Sequence, residues 1–222
     1  MNETDFLQRI RERQSSIVGH QSPHPGRFPR PVRTLPADWI DEFSRRLTAV
    51  GGHAYLIKNA SSARQQIHDI IDSLRQKGIP LRRAVITSHS ILHQMELDTL
   101  LPHFDVEAFP IPHPTFRIQD ADLGVTGVEY AVASSGTLVV AASPQHPRSA
   151  SLLPLVHIAV VGRSQLLPDL AALADKLHQD YPERPSSGIA LITGPSRTAD
   201  IEQTLSIGVH GPGELHVLII DD

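Results

Sequence analysis

Apolar residues recur along this chain with two periods. Trp39, Phe43, Leu47 and Val50 fall three and four apart, as on one face of a helix, and Gly51-Gly52 ends the run. HAYLIK over 53–58 then reads as a strand. Ala63, Ile67, Ile70, Ile71 and Leu74 make a second helical stripe, closed by Gly78 and Pro80, and a second strand follows from Ala84 to Thr87. A third helix from about Ile91 to Leu101 and a strand from Val106 to Phe109 repeat the unit. Alternation of this kind with short connections predicts an α/β fold with a mainly parallel sheet in three layers, because parallel strands require crossovers that cover both faces.

Between residues 120 and 142 the helical period is lost. Small and β-branched residues with Gly124, Gly127 and Gly136 predict two strands, Glu129 to Ala133 and Thr137 to Ala141, joined as a small hairpin at Ser134-Ser135-Gly136. A polar loop from Pro144 to Pro154 carries Arg148 and leads into a strand from His157 to Val161. Leu170, Leu173, Ala174 and Leu177 then define a helix over 166–177. Two apolar runs, Ile189 to Ile192 and Leu215 to Ile220, have the length and branching of buried strands, which brings the sheet to six or seven.

Residues 1–36 differ in character from residues 37–222, the expected α/β domain. Phe6, Leu7 and Ile10 suit a short helix, and Pro23, Pro25, Pro29, Pro31 and Pro36 impose an extended arm. Such an arm either packs on a neighbouring subunit, which is compatible with a homodimer, or covers a site, or is a solvated tail.

Composition narrows the chemistry. With 222 residues and 40% hydrophobic content, a domain of this kind buries roughly 70% of its unfolded surface without staples. The absence of cysteine removes disulfides, thiol nucleophiles and thiolate-held clusters. A net charge of −4 offers no general attraction for nucleic acid, and no run approaches a membrane span. A soluble cytoplasmic protein is expected.

Candidate chemistry gathers beside the two C-terminal apolar runs. Gly194-Pro195-Ser196-Arg197-Thr198 follows the first, and Ile201 and Leu205 lie four apart beyond it, which predicts a turn into a short helix. A helix opening with two hydroxyls and a guanidinium would hold an anion, although a helix cap explains the glycine, proline and serine equally. Arg197 at a helix start needs a partner, either an anion or Asp200 or Glu202. His210, inside Gly208-Val209-His210-Gly211-Pro212-Gly213, is the candidate general acid or base, or else bonds its own loop. His157 reads as a core histidine. His89 and His93 lie four apart but lack the glutamate of HExxH and a third ligand, so no metal is expected. Neither GxGxxG after a strand nor GxxxxGK[ST] occurs.

The strings LITGPSRTADIE and GVHGPGELHVLIID, with SLLPLVHIAVV and SSGTLVV before them, resemble the LutC/YkgG family of lactate utilization proteins, the LUD domain. The resemblance implies a fold similar to the NagB/RpiA/CoA-transferase group and a place beside iron–sulfur subunits, LutA-like and LutB-like, that oxidise L-lactate to pyruvate. Where that family often carries an acidic or amide residue, this chain has Ser134. The loop is left with hydroxyls and backbone N–H groups, which suit anion binding better than acid–base work.

Together these features predict a small carboxylate or phosphate held by Ser134, Ser135, Gly136, Thr137, Arg148, Gly194, Ser196, Arg197, Thr198, Gly211 and Gly213, with His210 catalytic. The expected place is outside the carboxyl ends of the parallel strands. The chain is expected to hold no cofactor of its own, with iron–sulfur clusters in its partners. The alternatives are a stand-alone sugar-phosphate isomerase or CoA-transferase-like enzyme, and a non-catalytic scaffold or sensor.

Overall fold

The computed structural model describes residues 39–182, 186, 188–198 and 206–221, together with Gln8. The proposed N-terminal helix and proline-rich arm, and Asp200, Ile201, Glu202 and Leu205, lie outside them. The chain divides into two units, residues 1–34 and 35–222, and every element below belongs to the second.

A helix, α1 (Trp39–Ala49), leads into β1 (His53–Ile57), and α2 (Ala60–Gln76) leads into β2 (Arg83–Ile86). The Asn59 side chain caps α2 by accepting from the Ser62 N–H at 2.9 Å. Two one-turn helices, α3 (Ser90–His93) and α4 (Leu97–Leu100), precede β3 (Glu107–Pro110). There follow β4 (Leu123–Gly127), β5 (Tyr130–Val132), β6 (Thr137–Ala141), α5 (Ser149–Leu152) and β7 (Val156–Gly162). The remainder is β8 (Leu166–Leu167), α6 (Leu170–Asp180), β9 (Ile189–Ile192), β10 (Arg197–Thr198), β11 (Ser206–Ile207) and β12 (Glu214–Ile220).

Six strands form a wholly parallel sheet in the order β1-β12-β7-β4-β2-β3. Successive side chains of a strand face opposite ways, so β7 and β12 feed two cores. Val156, Ile158, Val160 and Leu218 pack under Ile67, Ile71 and Leu74 of α2. Ala159, Val161, Leu215, Val217 and Ile219 face Phe43 and Leu47 of α1, together with Ala131, Leu138 and Val140 of a second sheet. That sheet, β8-β5-β6-β9, completes the third layer. No described helix is long and apolar enough to cross a membrane.

The expected hairpin is present as β5 and β6, but it is the centre of a four-stranded sheet. Ile189–Ile192 belongs there, antiparallel to β6, rather than in the buried parallel sheet, and Leu191 is 54% exposed. The expected third helix is broken at Glu96, whose φ of 47° is left-handed. On one straight helix Leu92 and Met95 would face away from Leu97 and Leu101, and the break turns all four into the core. The strand β4 was not anticipated, because LGVTG shows no alternation and two glycines. Its glycine is a packing requirement: a Cβ at Gly124 would lie 2.0 Å from the Ala150 carbonyl oxygen of α5.

His157 is fully buried beside β4, its Nε2 2.8 Å from the Thr126 hydroxyl. Burial pushes its pKa down to about 4, so the folded protein holds it neutral.

Two expectations follow. Gly124→Val should lower stability by about 3 kcal/mol, read as a fall in the urea midpoint, because the atom it strikes is backbone. For His157, the unfolded chain takes up a proton near pH 6.5 and the folded chain does not until about 4. Stability is therefore complete above about pH 6.5 and declines as pH falls through that window, by about 3 kcal/mol at its foot. Urea titrations of wild type and His157→Gln at several pH values should converge as the pH is lowered.

Candidate functional site

The residues that follow β9 and those that precede β12 are tied to each other. The Ser196 N–H donates to the Pro212 carbonyl at 2.8 Å, and the Gly208 N–H donates to the Ser196 carbonyl at 3.0 Å. Arg197 and Thr198 then pair with Ile207 and Ser206 as antiparallel β10 and β11. The expected helix start at these residues is thus replaced by extended backbone. A dipole argument for Arg197 and Thr198 does not apply, because neighbouring strand backbone satisfies this segment. A Cβ at Gly211 would sit 3.2 Å from Ser196 Cβ, a tight approach that a residue with a side chain could make only if Ser196 gave way by a few tenths of an ångström.

Between the loops is a cavity of about 230 Å³ lined by Thr193, Gly194, Ser196, His210, Gly211 and Pro212. Ser151 and Leu152 of α5, Leu191 and Ile192 of β9, His157 and Leu215 complete it. His157 supplies a buried Nδ1 that has no hydrogen-bond partner among the described residues. A neutral imidazole with Nε2 accepting from Thr126 would carry its proton on Nδ1 and donate it to a bound anion. Among the described residues, no carboxylate lines the cavity. Its polar groups are hydroxyls and imidazoles over an apolar floor, an arrangement that orients a small molecule with one polar and one apolar end.

A chain of hydroxyls connects the hairpin turn to this wall. Ser135 Oγ lies 2.7 Å from Thr137 Oγ1, which lies 2.9 Å from Thr193 Oγ1. Gly136 packs against the backbone of Arg46 and Leu47 in α1, and the Ser134 N–H donates to the Pro168 carbonyl at 3.0 Å. The turn therefore supports the cavity through Thr137 and does not itself line it.

The expected location needs correction. His157 and Leu215 lie at the amino-terminal ends of β7 and β12, so the cavity is at the opposite end of the parallel sheet from the one anticipated. Arg148 is not part of it. Its guanidinium lies against Gly188, before β9, whereas Thr193 and Gly194 follow β9, about 13–17 Å along an extended chain. Arg197 is exposed and its guanidinium covers Gly51, just beyond the last turn of α1. A cation at a helix C-terminus is favoured by the helix dipole, which explains the position without a bound anion or a carboxylate partner. Gly213 is occupied in closing the loop, its N–H donating to the Leu155 carbonyl at 2.9 Å. Of the expected residues the cavity brings together Gly194, Ser196, His210 and Gly211, and it adds Thr193, Ser151 and Leu152, which sequence patterns did not single out. Thr193 could have been found, since it adjoins Gly194 at the end of a strand.

A second cavity, about 430 Å³, does lie at the carboxyl ends of β2 and β3, lined by Thr87, Ser88, His93, Glu96, Asp98 and Ile111. Its two carboxylates oppose an anionic ligand; Glu96 is paired with Arg64 at 2.5 Å, and Asp98 has no cationic partner among the described residues.

A family model described as the LUD domain matches residues 40–220. Lactate utilization protein C of Halalkalibacterium halodurans is 39% identical over 108 residues, 48% of this chain and 47% of that protein. The uncharacterized protein YkgG of Escherichia coli K12 is 43% identical over 108 residues, with the same shares. Lactate utilization protein C of Bacillus subtilis is 38% identical over 108 residues, 48% of this chain and 45% of that protein. The matched part of the chain spans about half the length of these curated relatives. A crystal structure of a DUF162 family protein from Deinococcus radiodurans aligns with a TM-score of 0.52 at 21% identity, covering 82% of this chain and 96% of that one. That likeness concerns the fold alone. The family match runs from α1 through the final residue of β12 and takes in every loop of the cavity, so the chain belongs to the LUD domain family.

Proposed function

We propose that this chain binds the anion of a small 2-hydroxy acid, L-lactate in the first instance, in the cavity between Ser196, His157 and His210, and serves lactate oxidation as a subunit without a redox centre of its own. The observation that carries this reading is the convergence of the Thr193–Ser196 and Gly208–Gly213 loops on a small cavity with no carboxylate among the described residues of its lining. At about 230 Å³ it falls below the roughly 300–1,000 Å³ typical of drug-sized ligands, which favours a compact metabolite over a whole coenzyme A. The name of two relatives, lactate utilization protein C, supplies the substrate class.

In this reading the Ser196 hydroxyl and the His157 Nδ1–H hold the carboxylate, and Leu152, Ile192 and Leu215 face the methyl group. His210, exposed on the rim, accepts the hydroxyl proton. Conversion of lactate to pyruvate releases two electrons and two protons, and this chain offers no thiolate to hold a cluster that could take the electrons. The two electrons pass to iron–sulfur partner subunits, and the proton of the broken C2–H bond passes to solvent.

The test is an anaerobic pull-down of the tagged chain from its own cells, with iron content and lactate-dependent dye reduction measured on the eluate. Iron proteins should co-elute with activity. His210→Ala should lower the rate about 100-fold or more at unchanged co-elution, and Gly211→Val, which fills the cavity wall against Ser196, should abolish it. An iron-free eluate sinks the complex. Full activity in both variants sinks the cavity as the site and leaves a scaffold.

A further inference from the structure

On the face of the parallel sheet opposite that cavity, beneath α2, three side chains from β1 and β12 converge. His53 and His216 are register partners on adjacent strands, and Glu214 lies two residues before His216, hence on the same face. The two imidazole rings stack at 4.8 Å between centroids with 18° between planes. Glu214 Oε2 lies 3.7 Å from His53 Nε2 and 3.6 Å from His216 Nε2, and one ligand atom from each of the three residues falls within 4.8 Å of the others.

We propose that His53, Glu214 and His216 form a binding site for a divalent transition metal of the zinc class, with one coordination position open to solvent. Ligands about 2.0 Å from a tetrahedral ion stand about 3.3 Å apart, so the observed separations need to close by only a fraction of an ångström to somewhat over one. Two imidazoles and one carboxylate are the donors such an ion prefers, whereas calcium and magnesium call for more oxygens. His216 supplies an observation independent of the grouping: it is 4% exposed and its Nε2, 3.6 Å from Glu214 Oε2, has no hydrogen-bond partner among the described residues. Its other nitrogen, Nδ1, is 3.1 Å from the Tyr55 hydroxyl. With Nδ1–H donating to that oxygen, the Nε2 lone pair is presented to the ion, the outer-shell arrangement that orients metal-bound histidines. Lys77 Nζ binds the other carboxylate oxygen of Glu214 at 3.1 Å, which fixes the carboxylate and leaves Oε2 for the ion. His53 is 45% exposed, and a water or a ligand atom reaches the fourth position from its side.

The competing account is a metal-free histidine–carboxylate cluster at the start of a strand pair. The untagged full chain, stripped with chelator, should be titrated with Zn²⁺ against a chromophoric competitor, and with Co²⁺ while its visible spectrum is recorded. One equivalent of Zn²⁺ should bind, and Co²⁺ should give the intense absorption of a tetrahedral site. Glu214→Gln and His53→Ala should each weaken binding at least tenfold. Tyr55→Phe, which leaves all three ligands in place, should weaken it about tenfold or more. His53 is half exposed, so its variant keeps the unfolding midpoint of the metal-free chain and separates a lost ligand from a lost fold. Because the chain has 13 histidines, stray binding is the specific danger. Binding at one equivalent that is unchanged in His53→Ala and Glu214→Gln, or no binding by the wild-type chain, overturns the proposal.

Discussion

The pairing of β12 with β7 on one side and β1 on the other is the constraint on which the rest depends. Its seven residues are in register with the seven of β7, and five of them pair with β1. The strand therefore joins the first helix–strand unit to the remainder of the sheet. Because the sheet is covered on both faces, each residue of β12 is committed to one core or the other by its parity. A slip by one residue would put His216 into the α1 core and Leu215 against Lys77. Burying a histidine without partners and exposing a leucine costs several kcal/mol, more than loop adjustments recover.

The same parity divides the chemistry. Leu215 closes the floor of the cavity under α1, while Glu214 and His216 point to the opposite face beneath α2. The loop preceding the strand is shaped by that commitment. Once Gly213 is fixed to Leu155, and Gly208 and Pro212 are both fixed to Ser196, His210 and Gly211 between Gly208 and Pro212 have little freedom left. The cavity wall is thus positioned by backbone hydrogen bonds rather than by side-chain ion pairs. This explains why the arginines expected to cradle an anion lie elsewhere, Arg197 at the end of α1 and Arg148 against Gly188.

Much of the fold was legible in the sequence. The stripe of Ile67, Ile71 and Leu74 and the run from Leu215 to Ile220 state their partners, because helical spacing and branched apolar runs each have one economical burial. What was not legible follows physical lines. Gly124 reads as a loop signal unless one knows that α5 crosses it, and Ile189 to Ile192 reads as a core strand although it forms the exposed edge of the second sheet. The glycine-rich loops announced a close approach correctly, but not at which end of the sheet. That depends on β9 running antiparallel to β6, a long-range fact invisible in local pattern. The grouping of His53 with His216 was hidden for the same reason, since 163 residues separate partners that only strand register brings together.

The most direct measurement is a crystal structure of the chain with L-lactate or pyruvate bound. The account predicts the ligand between the two C-terminal loops, its carboxylate within hydrogen-bond reach of Ser196 Oγ and His157 Nδ1 and its methyl group toward Leu215. Density at the carboxyl ends of β2 and β3, among Thr87, Ser88 and His93, would contradict it, as would a structure grown at saturating ligand with the amino-end cavity holding only water.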